Sequence, residues 1–257
     1  PSSPRLFGCP ETIGTICVII SGAAQDASKR ALTTAPSCAS GEDMTTTAKA
    51  EGEAKANPAS VTPRIDGRRE RSRSSHKRIV KAMMELIAGG DLMPSAARVA
   101  DEAGIGIRTV FRHFDDMDSL YSEISATIAE RVMPIVTAPY LDNDWRANMR
   151  DLARRRVRVF ETMLPFRLAA NIKRYQSPFL MAEYGRVITV ERELVMRLLP
   201  APVLANKVAA EALCATLSFQ NWRALRHDQG LPAEEAGTVT AHMVEALLAA
   251  LPQGGDR

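Results

Sequence analysis

The chain has 257 residues, a formal net charge of +3, 46% hydrophobic and 25% charged residues, and 5% aromatics. Scarce aromatics beside abundant Ala, Leu and Val disfavour a β-sandwich or barrel, whose strands draw on aromatic and β-branched residues, and predict an all-α protein. The charge is too small to diagnose an anionic partner, and no apolar run reaches the roughly 20 residues of a membrane span, so no membrane partner is expected.

Cys9, Cys17 and Cys38 fall in the first forty residues and Cys214 in a helical stretch, without CxxC spacing or a nearby His. Neither a zinc site nor a disulfide framework is supported, no cofactor is expected, and a reducing cytoplasm fits. Residues 1–62 are rich in Ala, Ser, Thr, Gly and Pro without periodicity, and are expected to form a disordered extension. The short run Ile16–Ile20 before Ser21-Gly22-Ala23-Ala24 imitates a signal peptide, yet Arg5 is its single preceding cation. Met44 opens a polar stretch resembling a natural start, so residues 1–43 are read as an upstream extension.

Residues 63–74 carry Arg64, Arg68, Arg69, Arg71 and Arg73, continued by Lys77, Arg78 and Lys81 and opposed by Asp66 and Glu70. Such an arm tracks phosphates or is simply a solvated charge run; both readings stay open. From Ser74, Ile79, Ala82, Met83, Leu86 and Ile87 recur at helical spacing until Gly89-Gly90, which supplies a helix C-cap. Ser95 is placed to cap a second helix with a small-residue face of Ala96, Val99, Ala100 and Ala103, ended by Gly104. Only Ile105 and Gly106 precede a third helix, Ile107 to Phe114. So short a connection forces a steep crossing around a seam of Val99, Ala103, Ile105 and Val110.

Asp115-Asp116 caps a fourth helix from Met117 to about Ala138. Amphipathic stretches follow at 144–163, 165–174, 178–199, 205–227 and 233–251, separated by prolines and Gly230.

The string Val99 to Phe114 resembles the DNA-binding domain of the tetracycline-repressor (TetR) family. Ala103, Gly104, Thr109, His113, Phe114 and Leu120 match its pattern, and Ile105, Val110 and Phe111 are close substitutes. Three positions depart: Gly106 replaces a Ser cap, Phe111 lacks a tyrosine hydroxyl, and Met117 stands where the family has a phosphate-binding lysine. The lost contacts are to the backbone, so a weaker grip with retained specificity is expected, compensated by Arg69, Arg71 and Arg73 of the arm.

The resemblance implies that Ile107, Arg108 and Thr109 face base edges. Arg108 can fork onto a guanine, and Ile107 or Thr109 can meet a thymine methyl. Ser95, Arg98, Arg112 and His113 are placed for phosphates, with Phe111 beside them. It further implies a helix-turn-helix domain at 75–122, a helical ligand-binding and dimerisation domain at 123–252, and a tail at 253–257. A homodimer through the last two helices would use Val208, Ala212, Ala215, Phe219, Val239, Met243, Ala246 and Leu247, and would read a palindromic operator on double-stranded DNA as a repressor. A small-molecule effector would sit among Phe160, Met163, Phe166, Phe179, Met181, Tyr184 and Met196, with Arg167, Asn171 and Tyr175 as polar anchors. The same residue types at helical spacing also serve as ordinary core.

An all-α enzyme and an architectural DNA binder without effector control are the alternatives. The sequence holds no paired carboxylates, Ser/His/Asp set, Glu-x-x-His motif or phosphate loop in convincing context, and His227 and His242 lie on different helices without acidic ligands that the sequence can justify. A non-enzymatic regulator is therefore expected.

Overall fold

The computed structural model describes residues 66–251, and every regular element among them is helical. The expectations for residues 1–62, for Arg64 and for the tail at 253–257 lie outside the described residues.

Helix α1 (Asp66–Ala88) begins well before Ser74, so Arg68 to Arg73 are its first turns instead of a separate arm. Its apolar stripe, Ile79, Ala82, Met83, Leu86 and Ile87, is buried as the spacing predicts. The helix closes on Gly90 at φ +99°, with Gly90 N–H bonded to Ile87 O and Asp91 N–H to Leu86 O, the paired bonds of a left-handed cap. Helix α2 (Ala96–Ala103) starts at Ser95, whose hydroxyl accepts the Arg98 N–H, and ends in the same device at Gly104, φ +61°. There Gly104 N–H reaches Asp101 O and Ile105 N–H reaches Ala100 O, which turns the chain directly into α3 (Ile107–His113).

Helix α4 (Met117–Val136) opens with a reciprocal cap between Asp116 and Ser119. Helix α5 (Trp145–Lys173) was expected to break at Pro165 and does not. A proline inside a helix forfeits one backbone hydrogen bond, and packing of α5 against α4 and α6 (Pro178–Met196) offsets that loss. A 3-10 turn, Arg174–Gln176, joins α5 to α6.

The predicted helix 205–227 is instead three pieces after the short α7 (Ala201–Ala205): α8 (Lys207–Thr216), α9 (Phe219–Arg223) and a π turn, Ala224–Asp228. Side chains take the carbonyls at the break. Arg156 donates to Leu217 O and Asn221 Nδ2 to Thr216 O, while Ser218 caps the new start through Asn221 N–H. Helix α10 (Ala233–Ala249) ends the described chain and packs along α5 and α8.

The buried seam predicted between α2 and α3 is present: Val99, Ala103 and Val110 are buried and Ile105 packs partly against them. One cluster of buried side chains runs from this head through Leu120, Tyr121, Ile124 and Ile128 of α4 to Ala169 and Leu180, so head and body share a core.

Candidate functional site

Helix α3 is anchored from one side only. Val110 and Phe114 are buried, at 2% and 5% exposure, while Ile107, Arg108, Phe111 and Arg112 point to solvent and Thr109 is half-buried. An apolar side chain such as Phe111 left 51% exposed beside Ile107 at 43% is costly for a helix with no surface to meet. The N-cap Gly106 supplies no side-chain hydrogen bond, as its identity predicts. Ser95 and Arg98 are exposed at the start of α2.

His113 is placed differently from its expectation. Its ring is half-buried against α1, 6.1 Å from the His76 ring, and His76 stacks on Phe114 at 4.8 Å. Burial first, then Arg112 and His76, hold its pKa below the ordinary 6.5. Its ring contacts help to seat α3 against α1.

The basic residues of α1 divide by helical phase. Arg69 and Arg73 lie within about 60° of His76, on the side that meets α3, whereas Arg71 lies on the opposite side. Arg71 turns its Nε onto Gly67 O at 2.9 Å. Arg78 also leaves the phosphate-tracking group: its Nη2 donates to the carbonyls of Ala103 and Gly104, stapling the turn before α3 to α1.

Behind the head, α4, α5 and α6 enclose a cavity of about 160 Å³, lined mostly by aliphatic and aromatic side chains. Phe160, Met163, Phe166, Arg167, Asn171 and Tyr184 line it as expected. Tyr175 and Phe179 do not. Tyr175 sits in the 3-10 turn, 74% exposed, where its hydroxyl accepts from Arg174 at 2.7 Å. Phe179 packs on the shared core of head and body. Met181 is exposed and Met196 packs with a second cluster under α8 and α10.

The polar lining carries Arg156, Arg174, Glu183 and Glu191, none of them expected from the sequence. Arg167 pairs with Glu191 and lies 3.8 Å from the Phe219 ring centre. Arg174 lies over the Tyr184 ring at 3.7 Å and donates to Asn171 Oδ1 at 3.0 Å. Burial pushes the Glu183 carboxyl above its ordinary range, outweighing Ser125, Arg186 and Arg167. Tyr121 also faces the cavity, and burial pushes its phenol up to about 12. Helical spacing of Arg167, Asn171 and Arg174 was a readable signal; Arg156 gave none.

A buried hydrogen bond connects the start of α6 to the start of α4. Ser177, 2% exposed, donates to Asp118 in the first turn of α4 at 2.6 Å and caps α6 by accepting Leu180 N–H.

No family model and no curated protein matches the sequence. Among solved structures, a transcriptional regulator from Rhodococcus sp. Rha1 is similar, with a TM-score of 0.54 and 17% identity over 69% of this chain and 99% of that one. This similarity shows a shared fold. The crystal structure of a TetR-family transcriptional regulator from Mesorhizobium loti MAFF303099 gives a TM-score of 0.48 and 20% identity over 70% of this chain and 97% of that one. In this fold the three-helix head occupies α1 to α3, and α4 forms one wall of the cavity.

The expected dimer residues separate into two groups. Val208, Ala215 and Ala246 are exposed, with Val208 at 82%, and Ala212, Val239, Met243 and Leu247 are half-buried. Phe219 is fully buried against Phe160, ring centres 5.6 Å apart, and belongs to the protomer's own core. The break at Leu217-Ser218 turns it inward.

Proposed function

We propose that the chain is a sequence-specific, ligand-responsive transcriptional repressor that binds a palindromic operator as a homodimer in the cytoplasm. The observation that carries this reading is the one-sided seating of α3, with Ile107, Arg108, Phe111 and Arg112 outward and Val110 and Phe114 locked into the head. In this reading residues 75–122 are the DNA-binding domain and 123–252 bind effector and partner.

Arg108 reads a guanine edge from the first turn of α3, while Ile107 or Thr109 contacts a thymine methyl. Ser95, Arg98, Arg112, Arg69 and Arg73 neutralise phosphates. One short helix reads too few base pairs for useful specificity, so two copies must enter successive major grooves, about 34–36 Å apart. The outward faces of α8 and α10, around Val208, Ala215 and Ala246, are the surface on which the second copy docks.

Effector binding between α4, α5 and α6 weakens DNA binding only if the bound conformation has the wrong half-site spacing. Helix α4 is the mechanical connection, since it lines the cavity and its first turn directly follows α3. The test is selection of genomic fragments by the purified full chain. Recovery of a shared palindrome supports the reading; equal affinity for selected and random duplexes refutes it.

A further inference from the structure

The cavity among α4, α5 and α6 holds a charge imbalance that its apolar lining does not require. Arg156 and Arg167 flank one carboxylate, Glu191, which pairs with Arg167 through Oε1 and accepts Phe219 N–H through Oε2 at 3.2 Å. Arg156, 5% exposed, directs its terminal nitrogens to two backbone carbonyls, Leu217 O and Glu191 O. Two buried guanidinium groups therefore share one carboxylate, and an uncompensated buried charge is strongly unfavourable.

Lining residues also hold unpartnered polar atoms. Arg167 Nη2, Arg174 Nε and Glu183 Oε2 are buried without a hydrogen-bond partner among the described residues, two donors against one acceptor. The other carboxyl of the lining, Glu183, sits with Ser125 and near Arg186 and Arg167, and its burial pushes its pKa above the ordinary range. The rest of the lining is mostly aliphatic and aromatic, with Arg155, Asn171 and Arg174 as its further polar side chains.

We infer that the cavity binds a small monocarboxylate with an apolar body, its carboxylate accepting from Arg167 Nη2 and its body lying along Ile128, Val159, Phe160, Met163 and Val187. The cavity of about 160 Å³ is close to the roughly 150 Å³ that accepts a benzene ring, so one ring or a chain of about six carbons fits. This rests on the reading of the chain as a ligand-responsive regulator and names its effector class. A cationic ligand on Glu183 is disfavoured, because it would add a further positive group to a lining that already holds Arg155, Arg156, Arg167 and Arg174.

The test uses the full chain and three acids, benzoate, cyclohexanecarboxylate and hexanoate, against benzamide and benzylamine at fixed ionic strength, read by calorimetry and thermal unfolding. At a hundredfold excess over Kd an acid is expected to raise Tm by about 5–10 °C, with the amide and amine bound at least tenfold more weakly. The R167Q substitution should weaken acid binding about tenfold to a hundredfold, the loss of a charge-assisted hydrogen bond. If that variant fails to fold, the acid, amide and amine series on the native chain still decides. Absence of binding by all three acids at millimolar concentration, or an amine that binds as tightly as the acids, overturns the inference. A chain that selects a palindrome but ignores the acids refutes this inference alone; one that binds the acids but no DNA refutes the regulator reading and leaves the site.

Discussion

Replacing Gly104 with Ala probes the turn that aims α3. Gly104 adopts φ +61°, and an added Cβ would lie 3.1 Å from Arg78 Nη2. Two costs combine. Left-handed backbone costs a residue with a Cβ about 1–2 kcal/mol. Moving Arg78 off the carbonyls of Ala103 and Gly104 adds about 1 kcal/mol, the net worth of an ordinary hydrogen bond, because the site is partly solvated. Gly230, at φ +71° with nothing within 4 Å of its added Cβ, carries the first cost alone. Urea unfolding of G104A, G230A, R78A and the R78A/G104A double variant separates the two costs. G104A should destabilise by about 1 kcal/mol more than G230A, and that excess should vanish in the R78A background. Equal costs for G104A and G230A, with no coupling to Arg78, would refute the staple.

On an operator fragment, R108A should cost about 1–3 kcal/mol per half-site and relax preference at one base pair, with little change in salt dependence. R69A and R73A should each reduce the slope of log K against log salt by about 0.9 per half-site, and R71A by much less, measured by titration at several salt concentrations. Acidification should destabilise the head: because His113 has a lowered folded pKa, the unfolded chain binds more protons between that value and 6.5. Stability is then complete above about pH 6.5 and lost as pH falls through the lowered pKa. Denaturation from pH 7.5 to 5 tests this, and H113N should flatten the decline. V208E should shift the dimer to monomer in light scattering and cost operator affinity, without the core defect expected of F219A.

The head was readable because its signals are local. Ser95, Gly90 and Gly104 specify caps within a few residues, and Val99, Ala103 and Val110 repeat at helical spacing, so seam and turn follow from neighbours in the chain. The body depends on distant partners. Nothing near Leu217 announces that Arg156, sixty-one residues earlier, will take its carbonyl and divide the predicted helix. Pro165 reads as a break until neighbouring helices are present to hold α5 continuous. For the same reason Phe219 was assigned to a dimer face, and His113 to a phosphate, although contacts with Phe160 and His76 draw both inward. In the cavity, Phe160, Met163 and Phe166 announced themselves by apolar spacing, whereas the buried charges of Arg156 and Glu191 look like surface residues until the fold encloses them.

Guanine-methylation footprinting of the full chain on a selected fragment addresses the central claim most directly. Two symmetric clusters of major-groove protection, centred one helical turn of 10–10.5 base pairs or a multiple apart and lost together in R108A, are the expected result. A single cluster, or a pattern that R108A leaves intact, would contradict the insertion of α3 as a symmetric pair.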